Sequence, residues 1–323
     1  MPNLMLTNWC NYKCPYCFGK DMMHPKLPAL NMQEDTFEGI IQWLNKDRQD
    51  NVIHLMGGEP TLHPHFEKIV QRLMEEEFKI TVFSNLATDQ APSLADKLNL
   101  FPVRWVVNVN NPVKWSEKQR HNIESSLALL ADKACLTFNV MPDGSDDNWA
   151  LDLTEKYNLE KYIKVGFLLP TYEQSNMALN DNEYATVATK VTELAIEAAK
   201  RDIRLEYECG VPTCAFTDEQ LGTLWKCGSP LSSGCCSRLD ITPDGWVIYC
   251  LPLATMGKKK YYEFENYSAA KDWHEKRYAP YRAMGRTTEC AMCPLRKSDS
   301  CNAACLAKNL IGCSNIDKLK SVD

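Results

Sequence analysis

The feature that most restricts the fold of this chain is its fifteen cysteines, which occur in groups. The start of the chain has neither a basic segment nor a cleavage site, so nothing in it points to export. In a reducing cytoplasm, grouped cysteines are better explained as metal ligands than as disulfides. We therefore expect a cytoplasmic, metal-binding protein, in which the isolated Cys135 is a small hydrophobic core residue.

Short apolar runs alternate with segments of helical periodicity over the first two hundred residues. Val52–Met56 is typical of a buried strand and Glu34–Arg48 of an amphipathic helix. Repeated alternation favours a parallel sheet, and six or more units suit a full or partial barrel. We predict an α/β fold with a partial (β/α)6 barrel over residues 1–208. Residues 209–323 hold eleven of the cysteines and few long periodic segments, which predicts a small, irregular α+β domain stabilised by clusters.

Composition and charge exclude two classes of partner. No apolar run approaches the roughly 18 residues of a membrane span. The net charge is −6, with no basic block beyond the triplet Lys258–Lys260. A polyanionic nucleic acid is therefore a poor partner on electrostatic grounds.

Cys10, Cys14 and Cys17 form a CX3CX2C array on the loop after the first predicted strand. Three thiolates can hold three irons of a [4Fe–4S] cluster and leave the fourth iron open to another ligand, which is typical of a reactive centre. The alternatives are a zinc loop, which lacks a convincing fourth ligand nearby, and a redox CXXC, which leaves Cys10 unexplained.

This array resembles that of the radical S-adenosylmethionine (SAM) superfamily. Tyr16 stands just before the third cysteine, and Gly57-Gly58-Glu59-Pro60 follows the second predicted strand, as in that family. The resemblance implies that SAM chelates the open iron and that one electron breaks its C5′–S bond. The 5′-deoxyadenosyl radical then removes a hydrogen atom from the substrate, while the barrel orients the reactants and excludes water.

The resemblance also implies SAM contacts, residue by residue. They are Tyr16 and Leu168 at the adenine, Asn85 and Asn108 on the ribose side, Arg120 at the carboxylate, and Gly57, Gly58 and Glu59 at the methionyl amino group. Asn108 replaces a family serine, and both Asn108 and Asn110 could instead be turn residues.

The C-terminal cysteines resemble the SPASM extension of radical SAM enzymes that modify peptides and proteins. The spacing from Cys293 to Cys301 is two residues longer than usual, a small loop change. By resemblance, auxiliary [4Fe–4S] cluster I takes Cys227, Cys235, Cys250 and Cys305, and auxiliary cluster II takes Cys290, Cys293, Cys301 and Cys313. As ligands of auxiliary cluster I, Cys214 could take the place of Cys227, and Cys236 could take the place of Cys235. The alternative interpretation of this region is that pairs of its cysteines bind zinc, as in a zinc ribbon.

Three clusters, SAM and an electron donor such as a flavodoxin or ferredoxin are thus expected. Cys209 and Cys214 follow the last predicted barrel strand, where either thiol could return a hydrogen atom to a substrate radical. Leu251 follows Cys250, whereas sulfatase-maturing members of the family have a carboxylate base there; this argues against formylglycine formation by that route.

The expected substrate is a ribosomal peptide or protein side chain, modified by cross-linking, epimerisation or dehydrogenation. A separate precursor-recognition protein is a candidate partner. The alternatives are a dehydrogenase or epimerase of a small sugar-like metabolite, and a non-catalytic electron-transfer protein.

Overall fold

The computed structural model of the chain describes residues 2–48, 51–231, 235, 238–298, 300–311 and 313. Cys236 lies outside the described residues. The strands are β1 Asn3–Met5, β2 Val52–Met56, β3 Lys79–Ser84, β4 Val103–Asn108, β5 Ala134–Asn139, β6 Tyr162–Gly166, β7 Arg204–Tyr207, β8 Asp240–Ile241, β9 Trp246–Ile248 and β10 Lys259–Lys260. The α-helices are α1 Glu34–Leu44, α2 Phe66–Glu75, α3 Ala91–Leu98, α4 Glu117–Leu130, α5 Trp149–Lys156, α6 Tyr184–Lys200, α7 Asp218–Lys226, α8 Tyr267–Met284, α9 Pro294–Lys297 and α10 Leu306–Leu310.

All ten strands of the described chain belong to one sheet, in the order β10-β9-β8-β1-β2-β3-β4-β5-β6-β7. Strands β1 to β7 are parallel to their neighbours, and a helix lies between each successive pair along the chain. This confirms the predicted α/β class with a parallel sheet. Because parallel strands must be joined by crossovers, the apolar strands and amphipathic helices of the sequence favour this arrangement.

Alternate residues of the strands face opposite sides of the sheet. One side packs under the helices in the main hydrophobic core, with Ile53, Val82, Trp105 and Leu136 among its members. The other side, which we call the inner face, is largely polar toward β7. Its residues include the paired row Asn108, Thr137, Lys164 and Glu206 on β4 to β7.

Cys135 is almost fully buried, as expected, but it lies on the inner face, next to Val106 of β4 in the parallel register. Its position between Val106 and the phenol of Tyr162 places it away from the grouped cysteines. Burial raises the pKa of the Cys135 thiol to about 11, which is consistent with a neutral packing residue.

The C-terminal region extends the barrel sheet. Strand β8 pairs in parallel with β1, where Asn3 lies opposite Asp240, and β9 and β10 continue as antiparallel strands. The region also contains α8, which is 18 residues long. Its buried residues are only Ala270, His274 and Tyr278, too sparse a stripe to stand out as a periodic segment in the sequence.

Among the described residues, no helix is both long and apolar enough to cross a bilayer.

Candidate active site

The cysteine loop after β1 and the Gly57-Gly58-Glu59 turn after β2 lie backbone against backbone. The Gly58 amide donates to the Thr7 carbonyl and the Glu59 amide to the Trp9 carbonyl, each at 2.8 Å. A Cβ atom on Gly58 would lie 2.1 Å from the Trp9 carbonyl oxygen, and one on Gly57, where φ is +152°, would lie 2.3 Å from that of Thr7. Glycine is therefore required because only a residue without a side chain permits this approach.

We predict that Gly58→Ala displaces the cysteine loop. The overlap is with backbone, which cannot move as a flexible side chain would, so the cost should be about 3 kcal/mol, the upper end for overpacking. That corresponds to a Tm lower by roughly 5–10 °C, together with loss of about four irons from the reconstituted protein. Thermal unfolding and iron analysis test this.

Gly144→Ala is the matched control, since a Cβ atom there meets nothing within 4 Å. Equal Tm and iron content for the two variants would contradict the assigned role of Gly58.

Cys10, Cys14 and Cys17 are half-buried free thiols close to one another. Burial raises the pKa of all three, to about 12 for Cys10, and repulsion among the thiolates adds to the shift for Cys10 and Cys17. Three desolvated thiolates at one place need a cationic partner. The loop therefore suits a metal cluster better than three separate thiols.

The Glu59 side chain is fully buried and joins the ends of β2 and β3. Its carboxylate accepts hydrogen bonds from the Thr61 amide and hydroxyl, the Ser84 hydroxyl and the Asn85 amide, at 2.7–3.1 Å. Burial raises the pKa of this carboxyl group, and the four donors act in the opposite direction. Glu59 thus holds the turn that faces the cysteine loop.

Two amide contacts at this site were missed by sequence reasoning. Asn11, within the cysteine loop, exchanges hydrogen bonds of 2.8 and 3.3 Å with the predicted ribose-side residue Asn85. The Tyr16 hydroxyl donates to the Asn110 side chain, which lies just beyond β4. The sequence had singled out Asn110 only as part of a turn, and Asn11 had no signal other than its place next to Cys10.

The segment after β6 also contacts the cysteine loop. The Asn176 side chain donates to the carbonyls of Tyr16 and Leu169, at 3.2 and 2.8 Å, and the Met177 amide donates to the Pro15 carbonyl at 2.9 Å. This segment had no role in the predicted site. It fixes the backbone on either side of Tyr16.

The remaining predicted SAM contacts lie in different surroundings. Asn108 ends β4 on the inner face and is exposed. Leu168 is buried in the main core. Arg120, on the exposed side of α4, donates to the Pro112 carbonyl at 2.8 Å and to Glu124 at 3.1 Å. The structure thus brings Tyr16, Glu59 and Asn85 to the cysteine loop. The SAM roles of all the predicted contacts, these three included, stay predictions.

The thiols of Cys209, Cys250 and Cys305 are desolvated. Burial raises the pKa of each, and repulsion from Cys235 adds to all three shifts. The Arg282 guanidinium lies 3.2 Å from the Cys235 sulfur and would stabilise a thiolate there. Three of these residues are predicted ligands of auxiliary cluster I, and the fourth is the predicted hydrogen donor Cys209.

Cys227 and Cys214 occupy different places. Cys227 caps the end of α7 and lies near the Tyr207 phenol, whose pKa is raised by burial and by this thiol. Cys214 is exposed, and its pKa is raised by burial and by repulsion from Cys301 and Cys290. Cys214 thus lies beside predicted ligands of auxiliary cluster II.

Of the predicted ligands of auxiliary cluster II, Cys290, Cys293 and Cys313 are half-buried. The Cys293 amide donates to the Cys290 carbonyl at 3.3 Å, and the Cys313 thiol lies 3.4 Å from the Asn309 carbonyl oxygen. Cys301 is buried.

Leu251 lies between the two cysteine regions. It belongs to a small apolar cluster with Met5, Met22 and Met23, against which Cys17 packs, and it directly follows Cys250. Its amide donates to the buried Asp240 carboxylate at 2.8 Å. The Leu251 side chain is aliphatic and 3 % exposed, so it cannot act as the base that formylglycine formation would need after Cys250.

Within the ranges that the structure describes, no three His, Cys, Asp or Glu side chains form a group that could hold a single metal ion. In a [4Fe–4S] cluster each thiolate binds a different iron, so its sulfurs stand further apart than the ligands of one ion. Cys10, Cys14 and Cys17 are free thiols, three in number, as a cluster with one open iron requires.

Comparison with known proteins agrees with this geometry. Residues 4–166, about half of the chain, match the Radical SAM superfamily. A GTP 3′,8-cyclase from Ectopseudomonas mendocina (strain ymp) is 24% identical over 270 residues, covering 77% of this chain and 78% of that protein. A SAM-dependent nucleotide dehydratase from Selenomonas ruminantium is 34% identical over 83 residues, which span only 28% of that protein.

Solved structures are similar over more of the chain. Native anSMEcpe with bound AdoMet has a TM-score of 0.67 at 17% identity, covering 94% of this chain and 89% of that one. SuiB from Streptococcus suis, bound to the precursor peptide SuiA, has a TM-score of 0.69 at 14% identity, covering 99% of this chain and 74% of that one. At these identities the likeness shows the shared fold.

Proposed function

The chain belongs to the radical SAM superfamily of enzymes, and we propose that it abstracts a hydrogen atom from a peptide or protein side chain. The observation that supports this proposal most is the packing of the cysteine loop against the Gly57-Gly58-Glu59 turn at the carboxyl edge of the sheet. Radical SAM enzymes bind a [4Fe–4S] cluster and SAM, which together supply the 5′-deoxyadenosyl radical. Cys10, Cys14 and Cys17 would hold that cluster.

The chain's own residues would hold the reactants and exclude water. Tyr16 and Asn110, which hydrogen-bond each other, lie beside Cys14, where both act to lower the pKa of its thiol against the larger effect of burial. Asn85 is 7 % exposed, with its amide on the Glu59 carboxylate and its side chain on Asn11. Hydrogen bonds fix the positions of these side chains before any ligand binds. Binding therefore has to restrict little further side-chain motion.

The inner face next to this site suits a peptide. Asn108 and Asn139 offer amide groups, and Lys164 lies 3.7 Å from Glu206 and 3.9 Å from Glu208, all partly exposed. Amides and charges of both signs can bind a peptide backbone and a polar side chain. SuiB and anSMEcpe, which share the fold, are known in complex with a precursor peptide and the Cp18Cys peptide, respectively.

The GTP 3′,8-cyclase relatives favour a nucleotide as the second candidate substrate. A triphosphate requires an excess of cationic donors. On the inner face, Arg104 is paired with Glu160, Lys164 with Glu206 and Glu208, and Arg204 with Glu206. These three cations are already neutralised, which supports the peptide over GTP.

The test measures SAM turnover in the reduced, iron-loaded protein with either short peptides encoded beside its gene or GTP. We expect a peptide to raise 5′-deoxyadenosine formation above the substrate-free rate and GTP to leave it unchanged. Mass spectrometry of the peptide should show a loss of two hydrogens for cross-linking or dehydrogenation, or solvent deuterium for epimerisation.

A sulfatase-type peptide is the matched control. It should yield no formylglycine, because Leu251 can neither take nor donate a proton. If GTP raised 5′-deoxyadenosine formation, the substrate would be a nucleotide and not a peptide. If formylglycine formed, Leu251 would not prevent that reaction.

A further inference from the structure

Large apolar side chains are exposed at both ends of the cysteine loop and on the segment that follows it. Trp9, directly before the first cysteine of the loop, is 44 % exposed, and Phe18, directly after the third, is 38 % exposed. Leu27 and Leu30 are each 37 % exposed. Several large apolar side chains exposed within one short stretch indicate a surface that another molecule covers. We call these four side chains the loop patch.

Hydrogen bonds and ring stacking hold the parts of the loop patch together. The Asn8 side chain donates to the Pro28 carbonyl at 2.8 Å and accepts from the Leu30 amide at 2.7 Å. The Trp9 ring stacks on that of His24, with the ring centroids 4.4 Å apart, and the His24 amide donates to the Asn8 carbonyl at 3.0 Å. A surface that is already ordered loses little conformational freedom when a partner binds to it.

The stretch that carries the loop patch is basic, although the whole chain has a net charge of −6. From residue 9 to residue 33 its charged side chains are Lys13, Lys20, Lys26 and Asp21. Asp21 is buried and accepts a hydrogen bond from Lys26, so these two charges compensate each other. Lys13 and Lys20 are exposed, and neither forms an ion pair with a residue that the structure describes. Unpaired cations beside exposed apolar side chains favour an acidic protein as the partner.

The middle of the cysteine loop, in contrast, is covered by the chain itself. Asn176 donates to the Tyr16 carbonyl at 3.2 Å, and the Met177 amide donates to the Pro15 carbonyl at 2.9 Å. The Tyr16 hydroxyl donates to the Asn110 side chain. A molecule bound at the loop patch can therefore approach the three thiols from the ends of the loop without displacing these contacts around Tyr16.

We propose that the loop patch, together with Lys13 and Lys20, is the docking surface for a small acidic one-electron carrier protein of the flavodoxin type. This rests on the proposed function, because each cleavage of SAM needs one electron from outside the chain. Flavodoxin hydroquinone gives one electron to the cluster held by the three thiols and becomes the semiquinone, while the cluster gains one negative charge. The lysines attract the carrier over a distance, and the exposed rings and leucines supply a small apolar contact typical of transient electron-transfer complexes.

The test measures binding of oxidised, FMN-loaded flavodoxin to the iron-loaded chain, anaerobically and without SAM, so that turnover plays no part. Wild-type affinity should fall as salt is added, because exposed charges are screened. Lys13→Glu/Lys20→Glu should weaken binding about tenfold at low salt, since like charges then face each other. Leu27→Ser should also weaken binding, because it removes apolar contact area. Iron content equal to that of the wild type shows that each variant keeps its clusters.

The matched controls lie at the opposite edge of the sheet. Lys79 begins β3 and Lys161 directly precedes β6, whereas the cysteine loop follows β1, and both lysines are exposed. Leu100 precedes β4 and is 86 % exposed. Lys79→Glu/Lys161→Glu and Leu100→Ser should bind flavodoxin as the wild type does. Equal affinities for the loop variants and these controls would overturn the proposal, as would a wild-type chain that binds no flavodoxin.

A second measurement needs no variant. A carbodiimide joins a carboxylate to a lysine that it contacts, and with flavodoxin it should link Lys13, Lys20 or Lys26 in preference to Lys79 and Lys161. Mass spectrometry of the digested complex identifies the linked peptides. Links through the control lysines alone, or links at the loop patch only between two copies of this chain, would overturn the assignment.

Failure of this proposal can be told apart from failure of the proposed function. A chain that binds flavodoxin at the loop patch but modifies no peptide would overturn the peptide substrate and leave the docking surface in place. A chain that modifies a peptide with dithionite but binds no flavodoxin would overturn the docking surface alone.

Discussion

Cys14→Ala should abolish formation of 5′-deoxyadenosine from SAM. The thiol lies at the centre of the cysteine loop, next to Tyr16 and Asn110, and its removal leaves two ligands for a cluster that needs three. Anaerobically reconstituted wild-type protein with dithionite should form the nucleoside slowly even without substrate, and the variant should form none. Liquid chromatography with mass detection measures the product.

Cys135→Ala is the control, because it removes a buried thiol near the start of β5, outside the cysteine loop. It should cleave SAM at the wild-type rate. Undiminished deoxyadenosine formation by Cys14→Ala would show that this loop does not carry the reactive cluster.

The second large effect is on iron content. Three [4Fe–4S] clusters predict about twelve irons in the wild-type chain, and the Cys10/Cys14/Cys17 triple-alanine variant should retain about eight. The difference is expected because the predicted ligands of the two auxiliary clusters all lie in the C-terminal region and are unchanged in this variant. Metal analysis and electron paramagnetic resonance of the reduced proteins measure it.

Zinc must be determined in the same samples. About four irons in the wild type, or zinc in place of the remaining iron, would remove the auxiliary clusters and leave only the primary one. The Radical SAM assignment would be unaffected, since it rests on residues 4–166.

Local patterns predicted most of the barrel. The helix expected over Glu34–Arg48 begins at the same residue as α1 Glu34–Leu44, and the strand expected over Val52–Met56 is β2 with the same bounds. Hydrophobic periodicity acts within one or two turns or a few strand residues, so it is readable without tertiary structure.

The sequence alone also determined where the reactive chemistry lies, because the CX3CX2C spacing and the Gly57-Gly58-Glu59 turn are contiguous motifs. Only the tertiary structure decided which distant groups meet: Asn11 with Asn85, Tyr16 with Asn110, and strand β8 with β1. Such contacts depend on long-range chain closure, which residue spacing does not encode.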